Sequence, residues 1–186
     1  MPRHSTYDEQ QVIERLRHQA TARDAFAEVI NHYSSPLYWQ IRRIVIDHDD
    51  TADVLQNTFI KAWTSIDNFR GDAKLSTWLY KIAVNESITF VNRKKLQAGL
   101  SLDDENTFLT ASLESDPYFD GDNAQIRLQQ AIESLPEKQR LVFTMRYYDE
   151  MRYEQISEIL GTSVGALKAS YHHAVKKIEA FFEQND

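Results

Sequence analysis

The stretch Tyr153–Ile178, YEQISEILGTSVGALKASYHHAVKKI, holds two short helical patterns around a Gly-Thr-Ser turn. Gly161 can take the left-handed backbone conformation that ends a helix, and Ser163 offers a hydroxyl to the free N–H groups of the helix that follows. In that second helix Val164, Leu167, Tyr171, Ala174, Val175, Ile178 and Phe182 recur every three to four positions, which places them on one stripe that must be buried. The opposite face collects Gly165, Lys168, Ala169, His172, His173 and Lys176. Small residues there allow close approach to base edges, and the cations can reach flanking phosphates. The pattern predicts a helix-turn-helix that lays its second helix in a DNA groove, set against the simpler alternative of an αα-hairpin with a solvated polar face.

Working outward, 186 residues with 42% hydrophobic content suit one ordinary domain or two small ones, and only five glycines and four prolines interrupt an abundance of helix formers. An all-α chain is expected. There is no cysteine, which excludes disulfides and thiolate metal sites and fits a reducing compartment. No apolar run reaches membrane-spanning length, and the leading MPRHSTYDEQ has no apolar core of a signal peptide, so the expectation is a cytoplasmic protein without membrane insertion.

A net charge of −7 looks wrong for a DNA binder, since Lys and Arg neutralise phosphates. Its distribution resolves the conflict. Between Leu96 and Ile126 there is no Lys or Arg, whereas Asp103, Asp104, Glu105, Glu114, Asp116, Asp120 and Asp122 account for the whole excess. By contrast, Arg70, Lys74, Lys81, Arg93, Lys94 and Lys95 face only Asp72 and Glu86 between Asn68 and Lys95, a second basic region. The acidic segment also contains Gly99, Pro117 and Gly121 and lacks sustained helical periodicity, as a linker does. The chain therefore divides into residues 1–95, an acidic flexible linker at 96–123, and residues 124–186. At roughly 3.3 Å per residue the linker extends to about 90 Å, more than two duplex turns, so the halves can address separate DNA elements.

In the first half, Ala25, Phe26, Val29, Ile30, Tyr33, Leu37, Tyr38, Ile41, Ile44 and Val45 trace a long amphipathic helix with Ser35-Pro36 inside it. A second helix follows Asp49-Asp50-Thr51, with Val54, Leu55, Thr58, Phe59, Ala62, Trp63 and Ile66 buried and Asp53, Gln56, Asn57 and Lys61 outside. A third begins near Leu75, after the Phe69-Arg70-Gly71-Asp72 turn. Three such helices can close one small core.

DVLQNTFIKAW (Asp53–Trp63) and NFRGDAKLSTWLYKIAVN (Asn68–Asn85) resemble region 2 of bacterial sigma factors, and LPEKQRLVFTMRYYDEMRYEQISEILGTSVGALK (Leu135–Lys168) resembles region 4. With no recognisable regions 1 and 3, the chain is similar to the extracytoplasmic function (ECF) group of the sigma-70 family. The likeness covers both halves, apart from the first twenty or so residues and the linker. It implies a region 2 helical bundle and a region 4 helix-turn-helix that bind core RNA polymerase, direct it to promoter DNA and open the duplex, with an anti-sigma factor as a further partner.

The resemblance also assigns residues. Core polymerase binding falls to Asp53, Gln56, Asn57, Phe59 and Ile60. Downstream-element recognition and strand capture fall to Arg70, Asp72, Lys74, Ser76, Thr77, Trp78, Lys81 and Asn85, with Asn85 as a base-edge reader and Lys81 as a phosphate contact. Trp78 has two readings, a core aromatic or a stacking platform. Upstream recognition falls to Ser163, Gly165, Ala166, Lys168, Ala169, Ser170, His172, His173 and Lys176. The chain departs from the family's habit at Ser170 and His173, where an Arg is common, and Arg146, Lys176 and Lys177 are candidate replacements. No HExxH, Gly-rich phosphate loop or carboxylate dyad is legible, so neither an enzyme nor a cofactor or metal is expected. Two other classes remain: a sigma-like protein that binds only an anti-sigma factor, and a one-component regulator using the C-terminal helix-turn-helix alone, which leaves Asp53–Asn85 unexplained.

Overall fold

The structure is a computed structural model that describes residues 7–99 and 123–184, all helices and turns. Most of the acidic linker expected at 96–123 lies outside the described residues, as does the MPRHST leader.

Helix α1 (Glu9–Leu16) opens on Asp8, whose carboxylate accepts from the N–H groups of Gln10 and Gln11, and it buries Val12 and Leu16. Sequence reading assigned nothing here, although a capping acid followed by apolar residues at helical spacing was a usable signal. Helix α2 (Ala22–Val45) continues through Pro36, an exposed position. It ends at Ile46, a β-branched residue with φ of 72° held by a side chain only 2% exposed. Helix α3 (His48–Thr64) is capped by Asp47, which accepts from the Asp50 N–H, and Asp49 and Asp50 in its first turn oppose the positive end of the helix dipole. After a short 3₁₀ turn (Ile66–Asn68), helix α4 spans Leu75–Gln97, two residues into the expected linker.

The start of α4 has no cap of its own. Its Leu75 N–H donates instead to Glu9 on α1 at 3.2 Å, while the Tyr33 hydroxyl donates to the other oxygen of Glu9 at 2.9 Å. Helix α1 thus fixes where α4 begins.

In the C-terminal half, α5 (Asn123–Glu133), α6 (Glu137–Tyr147) and α7 (Tyr153–Leu160) pack around α8 (Val164–Gln184). The turn before α8 is as expected: Gly161 sits at φ 65°, ψ 27°, and the Ala166 N–H donates to Ser163 Oγ at 3.3 Å.

One apolar cluster fills α1–α4 and continues into Leu141, Val142, Met145, Met151, Ile156, Ile159 and Leu167, while a second, built on Ala131, Ile132, Leu135, Phe143, Ala174 and Ile178, belongs to the C-terminal half alone. No local pattern in the sequence signals this continuity. Helix α7 lies along α4 and α6 meets α2, so the two halves touch where sequence suggested only a tether.

Candidate nucleic-acid interface

The stripe assigned to polymerase on α3 is largely available. Asp53, Gln56 and Asn57 are exposed, and Ile60 stands 55% exposed, a large apolar side chain in water. Phe59 departs from the assignment: it is buried, its ring meeting Phe26 edge-on at 6.4 Å between centroids. Its side chain belongs to the core of the N-terminal half rather than to the exposed stripe. Trp63, read as core, is 41% exposed and covers Phe26 at 5.0 Å with one side of its indole.

The residues assigned to the downstream element divide into two groups. Arg70, Asp72 and Lys74 are exposed on the loop before α4, where Gly71 takes φ 82°. Trp78 sits partly buried against Phe69, with ring centroids 5.2 Å apart. Lys81 and Asn85 continue from Trp78 at helical spacing and are exposed. Ser76 and Thr77 lie on another side of α4, beside Tyr80. Thr77 is 7% exposed, because α7 and the turn before it cover that side.

The basic run at the end of α4 is thinner than its sequence. Arg93 is exposed, Lys94 pairs with Asp50 on α3, and Lys95 is 1% exposed. A further ion pair, Lys61 with Glu86 at 2.5 Å, ties α3 to α4.

On α8 the division of faces agrees with the periodicity. Leu167, Ala174 and Ile178 are buried, while Ser163, Gly165, Ala166, Lys168, Ala169, His172, His173 and Lys176 are exposed and Ser170 is half-buried. A side chain added at Gly165 would meet nothing within 4 Å, so the start of the helix presents bare backbone. Lys168 Nζ lies 5.8 Å from the centre of the Tyr153 ring, which steadies its direction. Arg146 is less free than sequence implied: it donates to the Met151 carbonyl at 2.9 Å and its guanidinium lies 5.3 Å from the same Tyr153 ring.

Buried charge gathers between the halves. Burial pushes the Asp149 carboxyl up from its ordinary value, partly opposed by Arg43, and pushes the Tyr80 hydroxyl up to about 12. Burial likewise pushes Glu133 from 4.5 to about 7, against the pull of Gln129, Arg140 and Arg42.

Residues 29–97 match sigma-70 region 2, and residues 125–178 match sigma-70 region 4. The ECF RNA polymerase sigma factor SigW of Bacillus subtilis is 32% identical over 157 residues, 80% of this chain and 84% of that protein. The chain belongs to the ECF group of the sigma-70 family. The RNA polymerase sigma-H factor of Pseudomonas aeruginosa is 29% identical over 187 residues, covering 92% of each chain. Among solved structures, CnrH in complex with the cytosolic domain of CnrY has the same fold, with a TM-score of 0.68 at 19% identity over 96% of this chain and 99% of that one. This ECF sigma factor is a transcription-initiation subunit that directs RNA polymerase to promoters, and it is not an enzyme. Among the described residues no helix is long and apolar enough to cross a membrane.

Proposed function

We propose that this sigma factor divides its task by face: α3 docks on core RNA polymerase, the loop before α4 and the outer face of α4 capture the melted downstream element, and α8 reads the upstream element. Residues 1–95 carry the first two roles and residues 124–186 the third, joined by the linker at 96–123. The observation that carries this reading is the exposed set Asp53, Gln56, Asn57 and Ile60 on one helix, with Lys81 and Asn85 exposed beyond a Phe69–Trp78 aromatic pair on another. An apolar residue ringed by hydrogen-bonding groups suits a protein partner. An aromatic platform next to a cation and an amide suits an unstacked base on a single strand.

On α8, Gly165, Ala166 and Ala169 let the backbone approach base edges, while Lys168 and Lys176 take phosphates and Ser163, Ser170, His172 and His173 supply hydrogen bonds. The protein works in the cytoplasm, where promoter and polymerase are. An anti-sigma factor is its regulatory partner, a reading supported by the likeness of fold to the sigma factor RpoE of Bartonella quintana, which was solved with the anti-sigma factor NepR.

Run-off transcription with purified core polymerase tests the whole reading. The protein should confer RNA synthesis from one defined start. Ile60→Asp should abolish it by loss of core binding, whereas Asn85→Ala should keep core binding and lose opening. Start-specific RNA unaffected by both variants would refute the assignment of faces.

A further inference from the structure

We propose that Arg17, in the turn after α1, is a further DNA contact of this sigma factor and takes a phosphate of the strand held by the loop before α4. The inference rests on reading that loop as the strand-capture element. It adds a residue from outside the span that matches region 2, which starts at residue 29.

Helix α1 is fastened to both ends of the capture loop. At its N-terminal end Glu9 accepts from the Leu75 N–H, where the loop passes into α4. Its C-terminal end lies about 12 Å further along the helix. There Arg17 meets the loop itself, with Nη2 3.4 Å from where a Cβ on Gly71 would stand. The turn that carries Arg17 is firmly placed: Val12 and Leu16 are buried in the core, Arg15 pairs with Glu28 of α2 at 2.7 Å, and the Thr21 hydroxyl donates to the Arg15 carbonyl at 2.8 Å. Gly71 makes the approach possible. It takes φ 82° without strain, and having no side chain it lets the guanidinium lie close against the loop.

Arg17 differs from the cations around it in having nothing to neutralise it. Arg15 is paired with Glu28, Arg43 with Asp149, Lys61 with Glu86 and Lys94 with Asp50. The Arg17 side chain is exposed and, among the described residues, makes no hydrogen bond or ion pair. A guanidinium serving only to brace a loop would be expected to use its donors on the loop's carbonyls or on the exposed Asp72. Instead it adds a third cation to Arg70 and Lys74, which are opposed within the loop by Asp72 alone. Like charges gathered on one loop raise the local positive potential, and an incoming phosphate relieves their repulsion. A strand whose base stacks on the Phe69–Trp78 pair carries its flanking phosphates past this loop, and the planar fork of an arginine suits a phosphate bidentately.

The test uses holoenzyme assembled from core polymerase and the full-length chain. It is titrated at several salt concentrations onto a fluorescent single-stranded oligonucleotide carrying the non-template strand of the promoter used for run-off transcription, and onto the duplex upstream element of the same promoter, with core alone as the baseline. Arg17→Gln should weaken strand binding about fivefold at low salt and reduce the slope of log affinity against log salt by about 0.7, the value for one phosphate on a single strand. Arg17→Lys should keep the parent slope, and the duplex upstream element should be bound equally by all three. Because Arg17 is exposed and unpaired, both variants should melt close to the parent. If Arg17→Gln leaves affinity and slope as in the parent, the phosphate contact is refuted. If affinity falls with the slope unchanged and Arg17→Lys is equally impaired, Arg17 only braces Gly71 and the contact is refuted in that way too. A parent holoenzyme that binds the strand no better than core alone would overturn the strand-capture reading itself, a failure distinct from loss of Arg17 alone.

Discussion

Phe59 and Ile60 are neighbours in sequence and opposites in exposure, 9% against 55%. Truncating Phe59 to Ala opens a cavity beside Phe26 and should cost about 3 kcal/mol or more in denaturant unfolding. Truncating Ile60 to Ala should shift stability by less than about 0.5 kcal/mol yet weaken competition for core polymerase. Equal unfolding midpoints for the two variants would contradict the packing. Glu133 carries a different prediction. Its carboxyl, raised by burial from 4.5 to about 7, keeps its proton in the folded chain over a window where the unfolded chain releases it. Its contribution to stability is therefore complete below about pH 4.5 and is lost as pH rises through about 7. The melting temperature should fall on going from about pH 5 to 8, and Glu133→Gln should flatten that fall; parallel pH profiles would rule out this origin.

At the scale of elements, the turn between α7 and α8 shows how backbone chemistry positions a long helix. Gly161 has no neighbour within 4 Å of where a Cβ would lie, so replacement by Ala meets no clash, only the left-handed conformation at φ 65°. Gly161→Ala should cost about 1 kcal/mol in thermal unfolding, a purely conformational penalty. Lys168 is exposed and aligned by the Tyr153 ring, and the proposed reading gives it one phosphate contact. Lys168→Ala should weaken binding to all promoter sequences alike and reduce the slope of log affinity against log salt by about one. An unchanged slope, measured by fluorescence anisotropy, would remove Lys168 from the phosphate contacts. These elements were legible in sequence because a glycine, a serine cap and a helical stripe act within a few residues of one another. Helix α1 was less so: its cap is local, but its purpose, lending Glu9 to the start of α4, spans 66 positions.

For the whole molecule, the decisive feature is that an apolar cluster crosses from region 2 into region 4. A closed chain of this length should scatter with a radius of gyration near 16 Å plus the linker's contribution, well short of two tethered modules apart. Small-angle scattering should show that compact form at low and at moderate salt alike, because an apolar cluster and the mostly buried Arg43–Asp149 pair are little affected by screening. A large radius at every salt concentration would show that the modules do not rest together. The charge ledger of the sequence pointed to an acidic linker and basic faces, but a charge pairing between modules joins Arg43 to Asp149, residues 106 apart that no periodicity connects.

The sequence by itself determined helices α2–α4, α7 and α8, the exposed face of α8, the two family regions and the polar stripe of α3, since all of these arise from side-chain period and local capping. Only the tertiary structure decided which side of α4 is covered, that Phe59 belongs to the core and Trp63 partly to the surface, that Lys95 is buried, and that the halves meet through Arg43 and Asp149. The physical reason is range. A hydrogen bond to a cap or a stripe along a helix is set by neighbours in the chain, whereas burial and ion pairing depend on which distant surfaces lose water together.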